Sequence, residues 1–189
     1  MQLGKYNGYR DEDLIPLILE GQNALYEILY NRYKIKVLNK CYNLLKNKDL
    51  SEDAQQIIFE KAYEKLSTFK GKASFSSWLY SITYNYCIDF LRNKKKLNYP
   101  EWNRKQEFPE IVDEIAEEDN QVNYENLQGL LDKIHPEEKA LLMMKYTDNL
   151  SISDIANALR LTESATKMRL KRARARLLYL YKQTYKLED

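Results

Sequence analysis

The chain has 189 residues, with 30 Lys and Arg against 28 Asp and Glu, five glycines, four prolines and two cysteines. That length suits one ordinary domain or two small ones, and so few glycines, prolines and β-branched runs favour an all-α fold. No apolar run approaches a membrane span and the first residues lack a signal peptide's basic and apolar regions, so a cytoplasmic protein without membrane insertion is expected; Cys41 and Cys87 lack Cys-x-x-Cys spacing, which argues against a disulfide framework or a zinc site and leaves core packing.

The near-neutral total hides a segregated charge. Residues 1–97 hold 16 Lys and Arg against 11 Asp and Glu (+5), residues 98–126 hold 2 against 9 (−7), and residues 127–189 hold 12 against 8 (+4). The pattern predicts two small helical domains, 1–97 and 127–189, joined by an acidic linker.

In the first domain the periodicity predicts a helix from Asp13 to about Leu29, with apolar Leu14, Leu17, Ile18, Leu25, Ile28 and Leu29 and an interruption at Gly21. A second helix continues from Tyr30 to Leu45 through Tyr33, Val37, Cys41 and Leu44. A third is expected to run from Ser51, as its cap, to Leu66, burying Gln55, Ile58, Phe59, Ala62 and Leu66. Its outer face then carries Asp53, Gln56, Glu60 and Glu64, and periodicity alone leaves open whether that face meets solvent or a partner.

A loop with a glycine turn and two lysines follows, Phe69-Lys70-Gly71-Lys72-Ala73-Ser74-Phe75. The helix after it, Ser76 to Asn93, is expected to bury Leu79, Ile82, Thr83, Tyr86 and Phe90. On another face Trp78, Asn85 and Arg92 stand at i, i+7 and i+14, and Lys94-Lys95-Lys96 comes next. A ring, an amide and a guanidinium in one row beside a cationic track is the chemistry that holds single-stranded nucleic acid. Core packing of Trp78 is an equally open reading at this stage.

The acidic segment from Asn98 to Asn126 contains Pro100 and Pro109 and lacks a sustained core pattern, which marks a linker and, by composition, an inert spacer. Beyond it, Ser151 to Arg160 forms a short helix with Ile152, Ile155, Ala156 and Leu159 inward; Leu161 and Thr162 turn the chain, and Thr162 caps a second helix opened by Glu163. This is a helix-turn-helix. On its second helix Thr166, Leu170, Ala173 and Leu177 make one stripe, Lys167, Met168, Lys171 and Arg172 the opposite one, and Arg169, Arg174 and Arg176 flank it. Seven of the ten residues from Lys167 to Arg176 are Lys, Arg or Met with no acid among them, whereas an ordinary solvated face mixes signs.

In the order they occur, these segments resemble the extracytoplasmic-function class of bacterial sigma factors, the promoter-recognition subunits of RNA polymerase. Glu52-Asp53-x-x-Gln56-x-x-Phe59 is similar to that family's Asp-x-x-Gln-x-x-Phe segment. Phe69-x-Gly71-x-x-x-Phe75-x-x-Trp78-Leu79-x-x-Ile82-x-x-Asn85-x-x-x-Asp89-x-x-Arg92 resembles its next one. Pro136-Glu137-Glu138 through Asp154-Ile155-Ala156, and Lys167-x-Arg169-Leu170-x-Arg172-Ala173-Arg174, resemble its C-terminal domain.

The resemblance implies that the first domain docks on core RNA polymerase through Asp53, Gln56 and Glu60, and melts and reads the −10 element with Phe69, Lys70, Gly71, Phe75, Trp78, Tyr80, Asn85 and Arg92. It implies that the second domain reads −35 duplex with Lys167, Met168, Arg169, Lys171, Arg172, Arg174 and Arg176, of which Lys171 and Arg172 suit guanine and Met168 a thymine methyl. The acidic linker would mimic RNA in the polymerase channels, which reverses the spacer reading. An anti-sigma factor is the expected regulatory partner, and no cofactor, metal or catalytic residue is implied. Two departures from the family stand out: Arg160 occupies a position often held by Gly, where a left-handed backbone costs a side chain roughly 1 kcal/mol, and Ala165-Thr166 replaces the usual Thr-Val.

Two other function classes frame this reading. A free-standing helix-turn-helix regulator would leave the Phe69 loop and the Trp78, Asn85, Arg92 row without a role. An enzyme would need a phosphate-binding glycine loop, a nucleophile signature or a metal-ligand cluster, and none occurs in the chain.

Overall fold

A computed structural model describes residues 3–95 and 129–185, and every regular element among them is helical. The acidic linker expected over 98–126 and the residue Lys96 lie outside the described residues. The chain divides into two compact units between Leu91 and Arg92.

In the first unit α1 spans Asp11–Leu19, α2 Tyr26–Leu45, α3 Lys48–Glu64 and α4 Phe75–Lys95. Three acids in the first turn of α1 complement its positive end. The helix expected to run on to Leu29 is in fact two, because Gly21 adopts φ +104° and the chain reverses through a short 3₁₀ turn at Asn23–Leu25. A side chain at position 21 would be strained there, so Gly21 is a true break rather than a tolerated interruption. Tyr26 to Leu29 therefore belongs to α2.

The start of α3 also departs from expectation. Asn47 is its cap, with Oδ1 accepting the Leu50 N–H at 2.9 Å. Ser51 lies inside the helix, fully buried, and its hydroxyl donates to the Asn47 carbonyl at 2.6 Å. An Asn in the extended conformation after left-handed Lys46 offers a cap one turn earlier than the serine does. Gln55 is half-buried, and its amide donates to the Lys34 carbonyl of α2.

On α4 the buried residues are Phe75, Leu79, Tyr80, Thr83, Tyr84, Cys87, Ile88 and Leu91. Of the expected stripe, Leu79 and Thr83 are buried, whereas Ile82, Tyr86 and Phe90 are only half-buried. The inward face is displaced because α2 draws polar-tipped rings inside: the ammonium of Lys40, itself buried, lies 4.0 Å from the Tyr80 ring centre and 5.7 Å from that of Tyr84. Cys41 and Cys87, far apart in sequence, meet in this core, where the contact with Cys41 and then burial push the Cys87 thiol well up.

The second unit contains α5 at Pro136–Leu142, a single π turn at Met143–Thr147, α6 at Ile152–Leu159 and α7 at Glu163–Tyr185. His135 Nδ1 accepts the Glu137 N–H while Glu138 accepts the His135 N–H, a reciprocal cap at the head of α5. Ser151 caps α6 through the Asp154 N–H at 3.0 Å, and Thr162 caps α7 through the Ala165 N–H at 3.1 Å. Between them Arg160 ends α6 at φ 55°, ψ 45°, the left-handed conformation anticipated for that position. The pair α6 and α7 is the helix-turn-helix, with both helices packed on the segment from Pro136 to Thr147.

Candidate nucleic-acid interface

The second helix of the helix-turn-helix has a two-sided character set by its sequence. Thr166, Leu170, Ala173, Leu177 and Tyr181 are buried, so the first four inward positions coincide with the apolar stripe of the sequence. Thr166 spends its hydroxyl on the Thr162 carbonyl at 3.0 Å, which lets a polar residue sit in the core at no loss of hydrogen bonding. Lys167, Met168, Lys171, Arg172 and Arg174 are exposed on the outside. Met168 is 48% exposed, an apolar side chain among cations.

Two of the cations expected beside them do other work. Arg169 donates to the buried carboxylate of Glu137 at 3.1 Å, and Arg176 lies 3.9 Å from Glu138, which is fully buried. A carboxylate taken out of water needs a charged partner: Glu138 has Arg176 of α7, and Glu137 has Arg169 of α7 together with Arg92, whose Nε donates to it at 2.6 Å. Arg169 and Arg176 thus fasten the helix to α5 and are corrected from DNA contacts to internal partners. Lys139, also buried, pairs with Asp132 at 2.5 Å, so the three consecutive charges of α5 all point inward. Helical position sets Arg172 apart as outward, but no feature of the sequence distinguishes these two arginines from Arg174, which flanks the stripe as they do; only their position opposite Glu137 and Glu138 does.

In the first unit the loop before α4 turns at Gly71, whose φ of +67° favours glycine although a Cβ there would meet nothing within 4 Å. Ser74 Oγ accepts the Ser77 N–H at 3.2 Å and caps α4. Phe69, Phe75 and Trp78 form a cluster with centroid separations of 5.6 to 6.0 Å. Its members differ in access. Phe69 and Trp78 are half-buried, Lys70 is exposed, and Asn85 is half-buried one face along α4.

Phe75 is fully buried, and Tyr80 is 9% exposed beneath Lys40 and edge-on to Tyr33. The expectation that these two rings meet DNA is corrected: each is packed on several sides, and reaching a base would require unpacking the core. Phe75 lies under the loop rather than on it, and Tyr80 lies in the core against α2. Arg92, also expected at the −10 element, lies near the end of α4, past the division between the units, and its Nε donates to the buried carboxylate of Glu137 at 2.6 Å, so it too is corrected to an internal partner.

On α3, Asp53, Gln56 and Glu60 are all exposed on one face, and the Gln56 amide donates to Glu60 at 3.2 Å. Gln56 and Glu60 also line an open cleft of about 640 Å³ between α2 and α3, together with Tyr26, Tyr30, Phe59 and Tyr63. Tyr26 stacks edge-on with Tyr63 at 4.9 Å and Tyr30 with Phe59 at 4.8 Å, while the Tyr26 hydroxyl donates to the Phe59 carbonyl at 2.8 Å. Burial pushes the Tyr26 hydroxyl above the usual tyrosine range. Sequence reasoning missed this aromatic floor, although the i, i+4 spacing of Tyr26 with Tyr30 and of Phe59 with Tyr63 carries the signal. Asp53 does not line the cleft.

Among the described residues no cluster of three His, Cys, Asp or Glu is arranged to hold a metal, and no helix is long and apolar enough to cross a membrane.

Comparison with known proteins gives the two units a common context. Residues 29–97 match the model for Sigma-70 region 2, and residues 124–177 the model for Sigma-70 region 4. Over 176 residues the chain is 29% identical to the ECF RNA polymerase sigma factor SigW of Bacillus subtilis, covering 86% of this chain and 92% of the relative. The ECF RNA polymerase sigma factor SigM of Mycobacterium tuberculosis is 26% identical over 90% of this chain and 84% of its own. The fold is similar to that of CnrH, solved with the cytosolic domain of CnrY, at a TM-score of 0.61 and 18% identity over 92% of this chain and 97% of that one. It is also similar to the sigma factor RpoE of Bartonella quintana, solved with the anti-sigma factor NepR, at a TM-score of 0.57 and 18% identity over 87% and 98%. With region 2 on the first unit, region 4 on the second and full-length relatives of one class, the chain belongs to the extracytoplasmic-function group of the sigma-70 family.

Proposed function

We infer that this protein is an alternative sigma factor, which binds core RNA polymerase and directs promoter-specific initiation as a non-enzymatic, cytoplasmic subunit. The observation that carries the reading is the order of the two matched regions, 29–97 then 124–177, combined with an acid-free cationic face on α7. In this reading the region 2 domain is 1–97, the acidic linker 98–126 enters the polymerase channels, and the region 4 domain is 127–189.

The −35 duplex meets Lys167, Met168, Lys171 and Arg172 in the major groove, where paired donors suit guanine and the Met168 thioether suits a thymine methyl. Arg174 faces phosphate. The −10 element is opened at the loop from Phe69 to Ser74, with Lys70, Trp78 and Asn85 around an unpaired base. Extracting that base costs a few kcal/mol of stacking, which half-exposed rings and an amide can offset. Polymerase docks on the α3 face of Asp53, Gln56 and Glu60 and on the aromatic cleft beside it. The two solved relatives are complexes with the cytosolic domain of CnrY and with the anti-sigma factor NepR, so a protein that masks the DNA-binding surfaces is the expected regulator.

A free-standing regulator would use the second unit alone. Reconstitution separates the two. The full chain is expected to co-purify with core RNA polymerase and to make permanganate-reactive thymines on a promoter, and Asp53→Lys with Gln56→Ala is expected to abolish both while binding to −35 duplex persists. Absence of polymerase binding by the parent chain would refute the sigma-factor reading.

A further inference from the structure

The loop before α4 is held from behind by α1, a helix to which nothing above assigns a part in DNA recognition. Glu12 Oε1 accepts the Phe75 N–H at 3.3 Å, from 63 residues away in sequence. Phe75 opens α4, so its N–H lacks a partner within the helix. Ser74 Oγ serves the Ser77 N–H and the Ser74 carbonyl serves Trp78, while the first amide of the helix goes to Glu12.

The neighbouring residue secures the other side of the same position. Asp11 accepts from Arg32 Nη1 at 2.6 Å and from the Tyr33 hydroxyl, and the Tyr33 ring stands edge-on to Phe75 at 5.6 Å. Burial, and then the bond to Asp11, raise the Tyr33 hydroxyl above the usual tyrosine range, so it stays a donor. Phe69 stands edge-on to Phe75 at 6.0 Å. Amide and ring of Phe75 are therefore both fixed from α1 and α2, and Phe69 leans on what they fix. Asp13, the third acid of that turn, is turned away to Arg10 at 2.8 Å.

We propose that Glu12 is a positioning residue for −10 recognition: its carboxylate caps α4 across the fold and sets the loop from Phe69 to Ser74 in the conformation that receives an unpaired base. The inference rests on the reading of that loop as the −10 site. Glu12 touches no DNA. It acts only through the Phe75 amide, and what it requires is an acceptor oxygen rather than a charge.

The test uses holoenzyme reconstituted from the full chain and core RNA polymerase, bound to fork-junction DNA with a fixed −35 duplex and a randomised single-stranded −10 segment, followed by sequencing of the bound fraction. Glu12→Ala is expected to lower the preference ratio at the captured base by roughly five-fold, the loss of one partly exposed charge-assisted hydrogen bond. Glu12→Gln keeps an acceptor at the same reach and is expected to restore the ratio to within about two-fold of the parent. Binding to −35 duplex should not move in either variant. A parent-like ratio for Glu12→Ala, equal loss in Glu12→Ala and Glu12→Gln, or a matching fall in −35 binding would each overturn the proposal. Asn85→Ala separates the two levels of inference: if it too leaves the ratio unchanged, the −10 assignment itself falls, whereas if it lowers the ratio and Glu12→Ala does not, the cap alone falls.

Discussion

The two units present their candidate DNA surfaces by different means. In the second, one helix carries the whole surface, and its buried and exposed sides alternate with the helical period. In the first, a loop supplies Phe69 and Lys70, α4 supplies Trp78 and Asn85, and α1 and α2 hold Phe75 beneath them. A surface on one helix is legible from spacing. A surface assembled from four segments is legible only in which residue types occur, not in which of them face out. Even on α7 the rule has a limit, since the four outward cations and the two arginines fastened to α5 share one chemical character.

The sharpest test of this contrast lies within the ring cluster. Phe75→Ala should cost the first unit about 3–5 kcal/mol as a fully buried ring is deleted. Phe69→Ala should cost about 1 kcal/mol, because only edge contacts to Phe75 and Trp78 are lost. Urea denaturation followed by tryptophan fluorescence measures both. Similar losses for the two would erase the distinction between the ring under the loop and the ring on it.

The next effect divides the arginines of α7. Arg176→Ala should destabilise the second unit by about 2–3 kcal/mol by leaving Glu138 buried with a weaker partner, without changing base preference. Arg172→Ala should leave unfolding unchanged and cost about 1–3 kcal/mol in −35 affinity at one base pair. Binding to a −35 library at several salt concentrations, beside denaturation of the same variants, separates them. A shift of base preference in Arg176→Ala would mean that the helix presents a different side to DNA.

Smaller effects are expected where the backbone and the caps of the second unit depart from ease. Arg160→Gly should raise stability by about 1 kcal/mol, because a side chain at φ 55° is strained and a glycine is not. No gain in the denaturation midpoint would mean that the Arg160 side chain returns as much as its backbone costs.

His135 gives the last test. Burial holds its imidazole below the ordinary value of 6.5, and Nδ1 must be unprotonated to accept the Glu137 N–H. A histidine whose pKa is lowered on folding contributes in full above the unfolded value, and the contribution is lost as pH falls below about 6.5 toward the folded one. The cap is worth about 1 kcal/mol, and His135→Asn, which caps without titrating, should flatten that acid-side slope. An unchanged slope between pH 5 and 7 would assign the loss to other groups.

Much of this molecule follows from the chain read alone. The all-helical class, the helix-turn-helix, the Thr162 cap, the inward stripe of α7 and the strained position of Arg160 are local matters, set by 3.6-residue periodicity and by backbone preferences that act over a few residues. What the tertiary structure decided depends on partners brought from a distance. Tyr80 and Tyr84 moved inside because Lys40 of α2 meets their rings, whereas the Gly21 break and the Asn47 cap are local features that periodicity does not register. Arg169 and Arg176 became internal because Glu137 and Glu138 are buried across from them, and Glu12 reached the Phe75 amide over 63 residues. Periodicity ranks side chains by their affinity for water. It is silent on amphipathic and charged ones, whose burial is settled by whether a complementary group waits on the neighbouring helix.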